Sequence, residues 1–109
     1  MKKFYDIAKN YLFPINRSLT GQGVVKTLKI IKKEFPLLKI RRFKSGTKVY
    51  DWNIPPEWNL YDAYVIDKYN NKIIDFKKNN LHVFGYSIPI KKTLNKKKLF
   101  KNFYYLKKK

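Results

Sequence analysis

Apolar residues recur at helical intervals over the first third of the chain and then shift toward alternation. Between residues 3 and 12, Phe4, Ala8, Tyr11 and Leu12 are separated by four, three and one positions, which places them on one helical face. Phe13-Pro14 is expected to end this helix, because proline disfavours helical geometry in the residue before it. A loop over residues 15–20 leads to a second helix over about residues 21–34. Its stripe Val24, Leu28, Ile31 and Phe35 repeats at four, three and four, and Val25 widens it. Lys26, Lys29, Lys32 and Lys33 lie mostly off that stripe, and Pro36 closes the segment.

From Leu37 the period moves toward two. Leu38, Ile40 and Arg42 alternate with Lys39, Arg41 and Phe43, which predicts a strand with two incompletely sorted faces. Ser45-Gly46-Thr47 reads as a turn. Tyr50, Trp52 and Ile54 then share one face of a second strand, which Pro55-Pro56 stops because proline cannot donate to a ladder. Residues 61–67 and 72–76 flank Tyr69-Asn70-Asn71 and predict a hairpin whose asparagines tolerate positive φ. A further strand is expected over residues 81–90, interrupted by Gly85 and ended near Pro89. Residues 95–106 form a basic helix that aligns Leu99, Phe103 and Leu106. The expected class is α+β: two N-terminal helices, a small mainly antiparallel β region of about five strands, and a basic C-terminal helix. Three regions follow, over residues 1–36, 37–90 and 91–109.

Composition narrows the class. At 109 residues the chain is one domain at most, or part of one, with little margin for a core. An apolar content of 44%, with 17% aromatics, argues for a folded chain. No apolar run approaches the roughly 18 residues of a membrane span. Asp6, Lys9 and Asn10 interrupt what a signal peptide would need as its apolar stretch. Cysteine is absent, which excludes a disulfide framework and a thiolate nucleophile, and a cytoplasmic protein is expected.

The formal charge is +19, and clustered cations bind phosphate backbones by releasing counterions. Of the 26 basic residues, however, Arg17, Arg41 and Arg42 are the only arginines. Lysine, asparagine, isoleucine, tyrosine and phenylalanine are the residues favoured by A/T-rich codons, so genome composition is expected to supply much of the lysine excess. Two readings stand: solvated lysine faces, and a polyanion-binding surface favoured by residues 91–109, which hold nine lysines and no acid. The tail could also dock a partner helix or an acidic surface through Leu99, Phe103 and Leu106.

Candidate chemistry is sparse. A zinc site takes three or four His, Cys, Asp or Glu ligands at defined spacing, and the chain has one histidine and seven carboxylates. Ser18, Ser45 or Ser87 could join His82 on paper, but no nucleophile-elbow context surrounds them. His82, between Leu81 and Val83, reads as a hydrogen-bonded structural residue. Asp51 with Glu57, or Asp62 with Asp67, read as turn caps or ion-pair partners rather than an acid–base pair. The Trp52–Trp58 stretch reads as sheet core or as aromatic surface for a partner.

The string Arg17-Ser18-Leu19-Thr20-Gly21-Gln22-Gly23 is richer. Ser18 or Thr20 can cap the second helix, and Gly21 and Gly23 let a group approach its free N–H donors. With Arg17 beside them, Arg17, Ser18, Thr20, Gly21 and Gly23 form a candidate anion site at the helix N-terminus. The structural alternative is that Thr20 caps the helix while Arg17 pairs with a carboxylate. A P-loop is excluded, since no lysine followed by Ser or Thr stands after the glycines.

Taken together, the strings LFPINRSLTGQGVVKTL, SGTKVYDWNIPPEWNLYDAYVID, IIDFKKNNLHVFGYSIPI and TLNKKKLF resemble the N-terminal portion of a prokaryotic family of aminopeptidase-like zinc metallohydrolases. That family was long described as a domain of unknown function. The resemblance runs in order from about Tyr11 to Phe100. It implies a longer protein with a zinc-exopeptidase-like α/β domain, a small β-rich insert and a winged-helix element. The two N-terminal helices would pack on the peptidase-like domain, and residues 38–90 would form much of the insert. The family's metal ligands belong to segments beyond Lys109, so no residue here inherits a catalytic or metal role and no cofactor is expected in this chain. Arg17, Ser18, Thr20, Gly21 and Gly23 match the family pattern, whereas Val25 stands where arginine is expected.

These readings predict a segment of an aminopeptidase-like protein, not catalytic alone. Its expected partner is the remaining peptidase-like portion or, through Leu28, Ile31 and Phe35, a second copy. The runner-up is a small basic module that binds nucleic acid or another polyanion.

Overall fold

The computed structural model describes residues 2–105 and 107. Helix α1 spans Lys2–Ile7 and widens into a π-helical turn over Ala8–Leu12, where Phe13 N–H reaches Ala8 O at 2.8 Å, five residues back. The helical segment ends at Leu12 with Phe13 as its C-cap, and Phe13 keeps helical angles (φ −62°, ψ −37°) despite preceding Pro14. Helix α2 spans Gln22–Glu34. Phe35 closes it with a bond from its N–H to Ile31 O at 3.0 Å, just before Pro36. The two helices meet where Phe4 stacks on Phe35 (5.5 Å) and Lys3 pairs with Glu34 at 2.6 Å.

The β region is smaller than the alternation implies. Residues 38–44 form no strand: with Lys39, Arg41, Arg42 and Lys44 on both faces, neither face is apolar enough to seek a sheet. Lys44 to Thr47 make the expected turn, with Gly46 at φ 81° in its third position. The second expected strand is instead a hairpin, β1 (Lys48–Val49) paired antiparallel with β2 (Trp52–Asn53). Tyr50 and Asp51 are its two-residue loop, and Tyr50 takes φ 53°, so Tyr50, Trp52 and Ile54 do not share a strand face.

Strands β3 (Tyr64–Ile66) and β4 (Lys72–Asp75) form the second hairpin as expected, with an irregularity between Val65 and Ile66. Asp67 organises its turn by accepting from Tyr69 N–H (2.8 Å), Asn71 N–H (2.9 Å) and Asn71 Nδ2 (3.2 Å), while Asn70 takes φ 64°. Residues 81–90 are not a strand. A 3₁₀ turn at Asn80–His82 is capped by Asn79 Oδ1, which accepts from Leu81 N–H at 3.0 Å, and irregular chain follows. An alternating pattern is only a request for a partner strand, and these residues have none. Helix α3 covers just Lys96–Phe100, capped by Asn95 Oδ1 on Lys98 N–H at 2.9 Å. Leu99 and Phe103 are half-buried, and Leu106 lies outside the described residues. The class is thus α+β, with three α-helices and two separate two-stranded sheets among the described residues, not a five-stranded region.

No apolar side chain among the described residues is buried. Asp75, 9% exposed, is the one buried polar residue among them. The radius of gyration is 17.8 Å, against about 13 Å for a compact domain of this length. The accessible surface is 10,702 Å², where a compact monomer of this mass exposes about 6,400 Å². The chain is an open frame of hairpins and helices around a few fixed junctions.

Candidate functional site

One of these junctions gathers three of the four sequence strings that carry the family resemblance. Gly21 sits at the N-cap of α2 with φ 106° and ψ −175°, a conformation essentially confined to glycine. A methyl group there would overlap Trp58 O and lie 2.8 Å from Asn59 Oδ1. This closeness lets Asn59 Oδ1 accept from Gln22 N–H at 2.7 Å, satisfying one of the free donors of the first helical turn. The cap of α2 therefore arrives from 37 residues away and not from Ser18 or Thr20, since α2 has no side-chain bond from its own N-cap.

Thr20 is used differently. Its Oγ1 lies 3.0 Å from Pro56 O and 2.7 Å from Tyr86 Oη, while Tyr86 Oη lies 3.0 Å from Pro56 O. Two hydroxyl protons serve three close contacts. At any moment both hydroxyls donate to the carbonyl, or one does so and accepts from the other. The Tyr86 ring stacks on Trp58 at 6.1 Å, and Trp58 Nε1–H donates to Ser87 O at 3.0 Å. Tyr86 holds φ 64°, costly for an aromatic residue, and this set of contacts keeps it there.

Ser18 packs its Cβ and Oγ against Gly85, where any side chain would collide with them. Gly23 backs onto Asn16 O and Arg17. Arg17 Nη1 donates to Leu12 O at 2.6 Å, so this guanidinium closes the helix α1 segment through a carbonyl rather than through a carboxylate. Asn80 Nδ2 donates to Phe13 O at 2.8 Å and ties the 3₁₀ turn to the same place. Arg17, Ser18, Thr20, Gly21 and Gly23 are thus brought together, each in contact with a distant or neighbouring segment. Pro56, Asn59 and Tyr86 complete the junction, and no local pattern marks them as its members.

The Asp67 and Asp75 carboxylates act locally. Backbone N–H donation from Asn71 is the main cause that holds the Asp67 carboxyl below the ordinary carboxylate range. For Asp75 the main cause is Lys77 N–H at 3.0 Å, with further lowering from Lys72 (3.5 Å), while burial opposes both. Asp62 pairs with Lys77 at 3.5 Å. His82 is exposed and lies on the 3₁₀ turn, not on the strand expected there. Ser87 gives its hydroxyl to Phe84 O at 2.8 Å.

Among the described residues, no three His, Cys, Asp or Glu gather closely enough to hold a metal ion. The residues present do not fit the zinc that the resemblance implies for the longer family. No helix among the described residues is long and apolar enough to cross a membrane.

Beside the junction lies an open cleft of about 500 Å³, walled by the π-helical turn, the first turns of α2 and the Trp58-Asn59-Leu60-Tyr61 stretch.

Comparison with known proteins supports the fold and gives the family. Over 83 residues, 76% of this chain, it is 59% identical to a Clostridium acetobutylicum protein named "Putative polysaccharide biosynthesis protein with aminopeptidase-like domain". The match spans 19% of that protein's length. A crystal structure of a "putative peptidase" from Clostridium acetobutylicum superimposes with a TM-score of 0.86 at 51% identity, over 92% of this chain and 23% of that one. The model of the family described as "Domain of unknown function (DUF4910)" matches residues 5–105, and the chain belongs to that family.

Proposed function

We propose that this chain serves as a scaffold segment of an aminopeptidase-like, peptidase-related protein and holds no catalytic centre of its own. One observation carries the reading: the residues shared with the family are spent on joining backbone segments, while the groups able to do hydrolytic chemistry stay apart. Gly21 and Gly23 sit where backbones touch, Gly85 makes room for the Ser18 side chain, and Thr20, Asn59 and Tyr86 bond across 30 to 66 residues. Such a junction fixes the shape of a frame; it does not polarise a carbonyl or activate water. Zinc, in this reading, belongs to the remaining peptidase-like portion of the longer protein.

The test is direct. The purified chain, given zinc and chromogenic aminoacyl substrates, is expected to show no metal-dependent turnover, and turnover would overturn the reading. Co-production with the peptidase-like portion of the Clostridium acetobutylicum relative is expected to yield hydrolysis only when both are present.

A second reading has its own observation. Residues 76–109 contain eleven lysines and no acid, and Phe100, Tyr104 and Tyr105 are exposed among them. Lysines interleaved with aromatic faces suit a single-stranded polyanion. Binding to single-stranded DNA that falls steeply with rising salt would favour this surface, whereas no binding at low salt would remove it.

A further inference from the structure

The cleft beside the junction has a residue set unlike the rest of the chain. Four carboxamides, Asn10, Asn16, Gln22 and Asn59, share its lining with the rings of Tyr11, Trp58 and Tyr61. Lys26 is the single charged residue there, although 30% of the chain is charged. The cleft is thus nearly free of charge and mixes hydrogen-bonding groups with aromatic faces. Its volume of about 500 Å³ falls within the roughly 300–1,000 Å³ of small-molecule sites.

These carboxamides are not spent on the fold. Elsewhere Asn71, Asn79, Asn80, Asn95 and Asn102 each bond to backbone or to a neighbouring side chain. Among the described residues, the side chains of Asn10, Asn16 and Gln22 make no such bond. Outside the cleft that is true only of Asn53 and Asn70, on the two hairpins. Asn59 commits Oδ1 to Gln22 N–H, which fixes the way its amide faces and leaves Nδ2 to donate elsewhere. The half-buried Trp58 is also held, by its stack on Tyr86 and its bond to Ser87 O. A ring and an amide are therefore set in place before anything binds, which lowers the entropy cost of binding.

The chemistry of this lining selects a ligand class. A carboxamide presents donors and an acceptor side by side, and the adjacent hydroxyls of a sugar each donate and accept in the same way. A pyranose ring also has apolar C–H faces that lie against aromatic rings. A nucleotide would need several cations for its phosphates, and the lining has Lys26 alone. An extended peptide would need a strand edge, and no strand among the described residues lines this cleft. We infer that the cleft is a saccharide-binding site, for a neutral oligosaccharide or one with a single carboxylate that meets Lys26. The site goes beyond the scaffold reading and stands without it, because holding a saccharide needs no hydrolytic group.

The experiment titrates the whole 109-residue chain, labelled with ¹⁵N, with cellobiose, N,N′-diacetylchitobiose and digalacturonic acid. The Trp58 indole N–H and the Asn59 side-chain amide report the cleft, and the Trp52 indole on β2 is the internal control. Saturable shifts at Trp58 and Asn59 with at least one disaccharide, and none at Trp52, are expected. Tyr61 is 77% exposed, so Tyr61→Ala removes a ring without removing packing; it is expected to weaken binding about ten-fold. Asn16→Ala is expected to weaken it about five-fold, as loss of one hydrogen bond does. Lys26→Gln separates the two sugar types, since it weakens digalacturonic acid alone if the carboxylate meets that lysine. Absence of shifts, shifts that never saturate, or affinity unchanged in both Tyr61→Ala and Asn16→Ala overturns the site. Saturation by trialanine or by a thymidine dinucleotide at lower concentration than any disaccharide overturns the saccharide assignment.

Discussion

Replacing Asn59 by alanine removes the carbonyl oxygen that meets Gln22 N–H at 2.7 Å. The first N–H groups of a helix have no partner within the helix, so this donor falls back on water. Loss of a side-chain cap costs about 1 kcal/mol, within a range of roughly 0.5–2. At 1.36 kcal/mol per factor of ten, that corresponds to about five-fold easier opening of the first turn. Amide hydrogen exchange reads it residue by residue, without needing a cooperative global transition in a chain that buries so little. The Gln22, Gly23 and Val24 amides are expected to exchange about five-fold faster in Asn59→Ala, with the β3–β4 hairpin unchanged. Asn59→Asp keeps an acceptor and places a negative charge at the positive end of the α2 dipole, so protection is expected to return or exceed the original by about 0.3–1 kcal/mol. Unaltered exchange at Gln22, or faster exchange everywhere at once, would refute capping from a distance.

Other consequences are checkable. Gly21→Ala should cost more than Gly46→Ala, although both have positive φ, because a methyl at Gly46 meets open space and one at Gly21 meets Trp58 O; about 1–2 kcal/mol is expected at Gly46 from conformation alone, and more at Gly21, by amide hydrogen exchange around each site. Thr20→Val and Tyr86→Phe should each cost about 1 kcal/mol, and a double-mutant cycle should show a coupling of about 0.5 kcal/mol or more, since both hydroxyls meet at Pro56 O. Asp67 has its folded pKa held below the ordinary value of 3.8, so its contribution is present above that value and lost as pH falls through the lowered one. Exchange at the Tyr69 and Asn71 amides, corrected for its intrinsic pH dependence, should lose protection on that acid side, and Asp67→Asn should flatten the change.

Local features were legible from the chain alone. The α2 stripe of Val24, Leu28, Ile31 and Phe35 predicts a helix that forms within a residue of its expected start, because a 3.6-residue period states both type and face. The β3–β4 hairpin was equally open to reading, since Asp67 and Asn70 write its turn into neighbouring positions. Asn95 likewise marks the start of α3. Family membership could also be read from the order of the strings.

Alternation misled wherever it stood alone. Residues 38–44, 50–54 and 81–90 carry strand-like patterns, but a strand exists only when another chain segment accepts its hydrogen bonds, and period two does not name that segment. The candidate site divides along the same line. Ser18, Thr20, Gly21 and Gly23 stood out because their chemistry is unusual in one place. Their partners Pro56, Asn59, Gly85 and Tyr86 lie 36 to 67 positions away and look ordinary in isolation. Composition likewise established enough apolar residues for a core, while the fold left none of the described ones buried. Periodicity and turn chemistry are properties of neighbours along the chain; capping from a distance, strand pairing and burial are properties of neighbours in space. The first are fixed by covalent order, and the second only when the folded chain brings its distant segments into contact.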